Sequence, residues 1–169
     1  PIWGTDYFPP DMQPDRKYPV IDAIYGGPQI TNAPVDYHDA VTALNPIARS
    51  SLAQLGFIVV TIDGRGTPSR SKAFNNLSHE QFAEPELADH VAGIRQLAAR
   101  YGTFDLNRVG IYGHSYGGYT SARGILTYPD FYKVAVSSAG PHNFQGFYPV
   151  EGSFPVPDYG EGRDSAPDP

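Results

Sequence analysis

The chain lacks cysteine and has only one methionine and one tryptophan among its 169 residues. Without cysteine it can form no disulfide, no zinc–thiolate site and no thiol nucleophile. An excess of positive charge is also missing, since 12 Lys and Arg stand against 18 Asp and Glu, for a formal net charge of −6. This balance does not indicate a basic surface that would bind nucleic acid or an anionic membrane. No apolar run is long enough for a membrane span.

Glycine and proline are abundant, with 18 and 17 residues respectively, and many of the prolines fall near the two ends. The middle of the chain, by contrast, has regular apolar patterns and enough hydrophobic residues (40%) for a core. We therefore predict one domain over residues 1–148 and a Pro-, Gly- and Asp-rich loop or tail over residues 149–169.

Short apolar runs alternate along the chain with segments of helical periodicity. The predicted strands cover residues 18–25, 57–62, 108–112 and 131–138, with a further edge strand near residues 2–8. The predicted helices cover residues 45–55, 85–101 and 116–127, and residues 67–83 form a long polar connection. This alternation predicts an α/β fold with a doubly wound, mostly parallel sheet and helices on both faces. Ligands bind such sheets beyond the carboxyl ends of the strands.

Gly113-His114-Ser115-Tyr116-Gly117 matches G-x-S-x-G, between a predicted strand and a predicted helix. In that motif the serine occupies a tight, strained turn, and the glycines avoid collisions with neighbouring backbone. The following helix directs the positive end of its dipole toward any oxyanion formed there. The pattern predicts Ser115 as a nucleophile.

Charged residues elsewhere indicate no second site. Asp63 and Arg65 follow a predicted strand, and we expect them to brace their loop by hydrogen bonds. The predicted helix at residues 85–101 begins in an acidic segment, which we interpret as a solvated helix face with N-terminal charges: Glu84, Glu86, Asp89 and His90. No metal site or nucleotide-binding loop is predicted, and no cofactor is implied.

Three motifs in order resemble the catalytic domain of the prolyl oligopeptidase family of serine peptidases, in particular its dipeptidyl peptidase IV branch. They are Tyr25-Gly26-Gly27-Pro28, Asp63-Gly64-Arg65-Gly66 and Gly113-His114-Ser115-Tyr116-Gly117-Gly118-Tyr119. The resemblance covers about residues 1–148. It implies an α/β-hydrolase fold and a peptide substrate.

The resemblance also implies roles for individual residues. The Tyr25 hydroxyl and the Tyr116 amide would hold the oxyanion. Three aromatic residues fall where the family builds an apolar pocket for a small, proline-like residue, although they could equally cover the sheet edge: Phe144, Phe147 and Tyr148.

A base and an orienting acid are not evident after Ser115. His142 is the one histidine in that stretch, and we interpret it as a loop residue bonded locally. Asp130 precedes its strand and so falls at the opposite edge of the sheet. The turn at Gly113–Gly117, called the elbow below, should direct the side chain of His114 away from that of Ser115. The remaining histidines precede the nucleophile and are interpreted as surface or helix positions: His38, His79 and His90.

We therefore expect this chain to be an incomplete catalytic domain that is inactive alone. The resemblance implies a β-propeller upstream, an Asp- and His-bearing segment downstream and a possible homodimer. Two alternatives stay open. One is an esterase or acyl-peptide hydrolase using the same elbow, and the other is a non-catalytic module of this fold that binds peptide or a partner protein.

Overall fold

The computed structural model describes residues 1–34, 36, 49–78 and 83–142. Within these ranges the strands are β1 (Trp3–Tyr7), β2 (Tyr18–Ala23), β3 (Ile58–Asp63), β4 (Phe104–His114) and β5 (Tyr132–Ser138). The helices there are α1 (Arg49–Gln54), α2 (Lys72–Asn75), α3 (Glu84–Tyr101) and α4 (Tyr116–Thr127), and a 3-10 turn at Asn76–Ser78 follows α2. The predicted tail, residues 149–169, lies outside the described residues.

The five strands form one sheet in the order β1-β3-β2-β4-β5. β1 runs antiparallel to β3, whereas β3, β2, β4 and β5 run parallel to one another. The carboxyl ends of these four strands therefore share one edge of the sheet. The predicted α/β-hydrolase architecture is confirmed, with β1 as the predicted edge strand.

Two apolar clusters lie on opposite faces of the sheet. The larger joins the sheet to α3 and α4 and includes Val20, Ile58, Val60, Ile62, Leu87, Ile94, Val109, Ile111 and Tyr132. The smaller includes Ala23, Ala53, Val59 and Tyr112 and joins the sheet to α1. Side chains alternate between the faces of a strand, so neighbours such as Val59 and Val60 enter different clusters. β3 is buried along its whole length, as a near-continuous apolar run predicts.

The predicted limits of α3 and α4 are confirmed. α3 carries Pro85 in its first turn and ends before Gly102, whose φ is 72°. A residue without a β-carbon adopts this left-handed conformation at little cost, and it ends the helix. α4 covers the predicted residues.

The connection over residues 67–83 is more ordered than predicted. Residues 72–78 form α2 and the 3-10 turn, and the Phe74 N–H donates to the Ser71 hydroxyl oxygen (3.2 Å), which caps α2. A helix of four residues is too short to give an apolar periodicity, so the sequence pattern did not reveal it.

β4 is also longer than the predicted 108–112. Phe104 pairs with Tyr18 before a register shift, after which Val109 pairs with Val20. The mostly polar residues 105–108 interrupt the apolar pattern at the shift, so the sequence pattern does not predict the first part of the strand.

The predicted solvated face of α3 is wrong. His90 is completely buried, and Glu86 and Asp89 are only 3% and 7% exposed. Glu84 alone of the four reaches the surface, where it pairs with Arg123. Glu86 and His90 are four residues apart and so share the helix face that meets the sheet. The further partners of His90, Asp22 in β2 and the Ile62 carbonyl oxygen in β3, are distant in sequence, so no local pattern shows them.

Among the described residues β5 is the last strand of the sheet on its side, and two of its valines are exposed. Val134 and Val136 are 61% and 51% exposed, and an apolar cleft of about 450 Å³ opens beside them. No helix in the described ranges is both long and apolar enough to cross a bilayer.

Candidate active site

Ser115 joins the end of β4 to the first turn of α4. Its backbone has φ 58° and ψ −122°, a conformation that costs an L-residue roughly 1–3 kcal/mol. The Ser115 N–H donates to the carbonyl oxygen of Ser138 at the end of β5 (2.8 Å). This is the strained strand-to-helix turn that the G-x-S-x-G motif predicts.

Three glycines give this turn the space it needs. A β-carbon on Gly113 would lie 2.5 Å from the Ile24 carbonyl oxygen, and one on Gly117 would collide with the same oxygen. A β-carbon on Gly118 would collide with the carbonyl oxygen of Ser138. The elbow is therefore enclosed between the chain segments that follow β2 and β5, the two neighbours of β4 in the sheet.

The Ser115 side chain lies half-buried at the carboxyl edge of the sheet. It occupies the N-cap position of α4 but makes no capping hydrogen bond to the helix. Serine at an N-cap ordinarily uses its oxygen for such a bond. Here the hydroxyl is left for another partner, beside the positive end of the helix dipole, which stabilises negative charge.

Tyr25 lies just beyond β2, and its ring centroid is 6.2 Å from that of Tyr116. Gln29 Nε2 donates to the Tyr25 hydroxyl (3.2 Å), which leaves the phenolic hydrogen to be donated to a ligand. The Thr120 hydroxyl lies 3.2 Å from the carbonyl oxygen of Tyr25 and 3.0 Å from that of Tyr116. The structure thus holds the two predicted oxyanion residues together beside Ser115.

The two histidines described near the elbow are bonded elsewhere. His114 Nδ1 lies 3.0 Å from Ser138 Oγ, and His142 Nε2 lies 3.1 Å from Ser137 Oγ. The contact of His142 is local in the sequence, as predicted, whereas His114 contacts the end of the neighbouring strand β5. Asp130 precedes β5 and lies at the amino edge of the sheet, so the prediction that it cannot orient a base at Ser115 holds.

The aromatic residues predicted for the substrate pocket are not among the described residues: Phe144, Phe147 and Tyr148. The same is true of His38 and His79, which were predicted as surface or helix positions.

Asp63 and Arg65 brace the loops at this edge, as predicted. Asp63 Oδ1 accepts hydrogen bonds from the N–H groups of Asn32 (2.5 Å) and Ala33 (3.1 Å), in the segment that follows the Tyr25 motif. Arg65 Nε lies 2.9 Å from Asp89 Oδ2, so the loop after β3 is tied to α3. These contacts fix the loops on one side of the elbow.

A sequence profile described as the Prolyl oligopeptidase family matches residues 45–167. The chain belongs to this family. In a comparison of structures, it is similar to a dipeptidyl aminopeptidase IV-type protein of Bacteroides ovatus. The TM-score is 0.69 at 29% identity, over 82% of this chain and 19% of the other.

Two curated relatives in the prolyl oligopeptidase family match over 138 residues, or 82% of this chain. Human dipeptidyl peptidase 8 is 38% identical and human prolyl endopeptidase FAP is 26% identical. The matched region is 15% and 17% of their respective lengths. The chain therefore spans about a sixth of these relatives.

Sequence patterns missed one buried polar cluster near the site, formed by Asp22, Glu86, His90 and Tyr132. The available signal was Asp22 itself, an acidic residue inside an apolar strand, because a buried carboxylate requires partners. The identity of those partners depends on the tertiary structure. Among the described residues, no group of His, Asp and Glu is arranged to hold a metal ion.

Proposed function

We propose that this chain is the nucleophile-bearing part of a serine peptidase catalytic domain. The observation that carries the proposal is the strained turn at Ser115, at the carboxyl edge of the sheet and beside the Tyr25–Tyr116 pair. Backbone strain of this kind persists in proteins mainly where it serves a site. Membership of the prolyl oligopeptidase family supports the same reaction class.

In the proposed reaction, a peptide lies across the carboxyl edge of the sheet. A histidine from outside the described residues takes the Oγ proton as Ser115 attacks the carbonyl carbon, and a tetrahedral oxyanion forms. The Tyr25 hydroxyl and the Tyr116 N–H donate to that oxyanion, and one such donor is worth about 3 kcal/mol. The C–N bond then breaks, the amine leaves with the proton, and water hydrolyses the acyl-enzyme.

The substrate class follows from the relatives' names, a dipeptidyl peptidase and a prolyl endopeptidase. They support short or N-terminal peptides with a proline-type residue before the scissile bond. Phe144, Phe147 and Tyr148 would contact that residue. Their replacement by alanine should raise KM more than it lowers kcat, because they bind the substrate equally before and during reaction.

The chain alone would lack turnover. The described histidines near Ser115 are engaged with Ser137 and Ser138, and a serine hydroxyl without a base is a poor nucleophile. The base and its orienting acid would belong to a further segment of the same polypeptide, and a propeller would precede this chain.

A fluorophosphonate adduct measured by intact mass tests the proposal, because the reagent requires an activated serine. The samples are the longest native polypeptide that carries this chain, the chain alone, and the Ser115→Ala variant of each. We expect an adduct only on the longer polypeptide with Ser115 present. A folded longer polypeptide that forms no adduct would overturn the proposal and favour a non-catalytic binding module.

Substrate comparison separates the two enzymatic alternatives. Dipeptide anilides with proline before the scissile bond should be hydrolysed by the longer polypeptide. Turnover of p-nitrophenyl esters without turnover of these anilides or of longer proline peptides would instead identify an esterase.

A further inference from the structure

A single buried carboxylate connects three elements of the fold beneath the site. Asp22, in β2, is fully buried, and its Oδ1 lies 2.7 Å from His90 Nδ1 on α3. Its Oδ2 accepts a hydrogen bond from the Tyr132 hydroxyl on β5, also at 2.7 Å. Because β4 lies between β2 and β5, this carboxylate links the two strands on either side of the strand that carries Ser115.

A hydrogen on both ring nitrogens satisfies the contacts of His90. Nε2 lies 3.0 Å from the carbonyl oxygen of Ile62, which can only accept a hydrogen bond. Nδ1 faces the Asp22 carboxylate, which already accepts from Tyr132 and acts as an acceptor when ionised. An imidazolium satisfies both contacts.

Other charged groups around the ring favour the same state. Glu86 Oε1 on α3 lies 3.7 Å from His90 Nε2. Besides burial, the negative charge of Asp63, at the end of β3, raises the pKa of Glu86. Asp89 forms a salt bridge with Arg65. Burial lowers the pKa of His90, but the charges and hydrogen bonds of Asp22 and Glu86 outweigh it and raise that pKa to about 10. Burial raises the pKa of Glu86.

The linked strands lead directly to the elbow. Beyond Asp22, the Ile24 N–H donates to the carbonyl oxygen of Tyr112 (3.0 Å), and the Ile24 carbonyl oxygen lies against Gly113. On the other side, β5 ends at Ser138, which accepts the Ser115 N–H. Displacement of β2 would therefore move Tyr25 relative to Ser115.

We propose that His90 is a positioning residue, which as an imidazolium holds Asp22, and with it β2, in the register that places Tyr25 beside Ser115. The inference rests on the proposed roles of Ser115 and Tyr25 in peptide hydrolysis. His90 is completely buried and contacts Asp22, so it would act through Asp22 and β2.

Two variants of His90 separate positioning from general structural support. His90→Asn places its amide nitrogen near the former Nδ1 and can keep the bond to Asp22. His90→Gln places its amide nitrogen near the former Nε2 and keeps the bond to the Ile62 carbonyl. In the longest native polypeptide we expect His90→Gln to lower kcat on the order of 10-fold or more with little change in KM, because small misplacements of catalytic groups have effects of this size. His90→Asn should retain most of kcat.

Tyr132→Phe is a second test, because it removes the hydroxyl that donates to the Asp22 carboxylate. It can be measured even if His90→Gln does not fold. It should lower kcat in the same direction. Combined with His90→Gln, it should give less than the product of the two single effects, because both act through Asp22. Strictly multiplicative effects would overturn the proposal.

NMR of the chain gives a readout that does not depend on activity. In the wild type, both ring nitrogens of His90 should carry hydrogen at pH 8. The amide signals of Tyr25 and Tyr116 should shift in His90→Gln and stay close to wild type in His90→Asn. A neutral His90 ring, unchanged signals in His90→Gln, or equal loss of kcat in the two variants would each overturn the inference. An inactive wild-type polypeptide would instead overturn the proposed function, and the NMR comparison would still decide the role of His90.

Discussion

The carbonyl oxygen of Ile24 lies 2.5 Å from the position that a β-carbon on Gly113 would occupy. This contact brings the segment after β2 against the elbow, so the space beside Ser115 depends on the absence of one side chain.

Gly113→Ala should destabilise the chain strongly, by about 2 kcal/mol or more, because overpacking against backbone can be relieved only by moving the strands. Gly110→Ala is the matched control in the same strand, since its nearest neighbour would lie at an ordinary 3.6 Å. Chemical denaturation measures both. An equal loss in the two variants would contradict a role for the close contacts of Gly113 with the carbonyl oxygens of Ile24 and Gly117.

Ser115→Gly should be more stable than Ser115→Ala by about 1 kcal/mol, because glycine alone relieves the strain at φ 58°. At an ordinary helical position the order is reversed, and glycine is the less stable residue. Thermal denaturation of the two variants gives the comparison. The usual order at this position would show that the turn is not strained.

Tyr25→Phe removes the proposed donor hydroxyl while keeping the ring that lies beside Tyr116. In the active polypeptide we expect kcat to fall about 10²-fold with little change in KM, since the bond forms chiefly in the transition state. Gln29→Ala removes only the group that donates to the same hydroxyl and should have a much smaller effect. A Tyr25→Phe enzyme with wild-type kcat would exclude Tyr25 from the oxyanion site.

Asp6→Asn should increase stability at pH 7.5 relative to its effect at pH 4.5. Burial raises the pKa of Asp6 to about 6, although the charge of Arg100 opposes the shift. The folded chain therefore keeps this proton up to about pH 6, whereas the unfolded chain releases it near pH 4. The contribution of the protonated group is complete below pH 4 and is lost as the pH rises through 6. Denaturation curves at the two pH values should differ between variant and wild type; parallel behaviour would show that Asp6 titrates normally.

The free energy of unfolding should decline between pH 7 and pH 10 because of His90. Its pKa is raised to about 10 in the folded chain, against about 6.5 when unfolded. The stabilisation is therefore complete below pH 6.5 and is lost as the pH rises through 10, with a slope of at most about 1.4 kcal/mol per pH unit. His90→Asn should flatten this decline. A variant with the same alkaline slope as the wild type would assign the decline to other groups.

Much of the fold was accessible from local patterns. The limits of α4 and the end of α3 at Gly102 followed from periodicity and from a residue suited to a left-handed conformation. β3 is an apolar run because it is buried on both faces, and β2 is mostly apolar because it is buried on one face and partly buried on the other. α2 gave no such signal, because four residues make little more than one helical turn and cannot show a periodicity.

The site was predictable to the extent that its parts are contiguous in the chain. The order of Gly113, Ser115 and Gly117 defines the elbow, and parallel strands with intervening helices place such a turn at the carboxyl edge of the sheet. The helix face that carries Glu86 and His90 was wrongly predicted to be solvated, because its burial depends on a residue that is not contiguous with it. A charged residue on a helix is usually exposed, and the carboxylate of Asp22 that makes burial of His90 favourable lies in a strand far away in the sequence.

The sequence by itself determined most strands and the longer helices, the turn at Ser115 and the family, because each depends on the spacing of neighbouring residues. Only the tertiary structure decided that Ile24 encloses Gly113 and Gly117, that Tyr25 meets Tyr116, and that Asp22 joins His90 to Tyr132. These relationships join residues on different strands and helices. Burial makes a polar group depend on whichever partner the folded chain brings within hydrogen-bond distance.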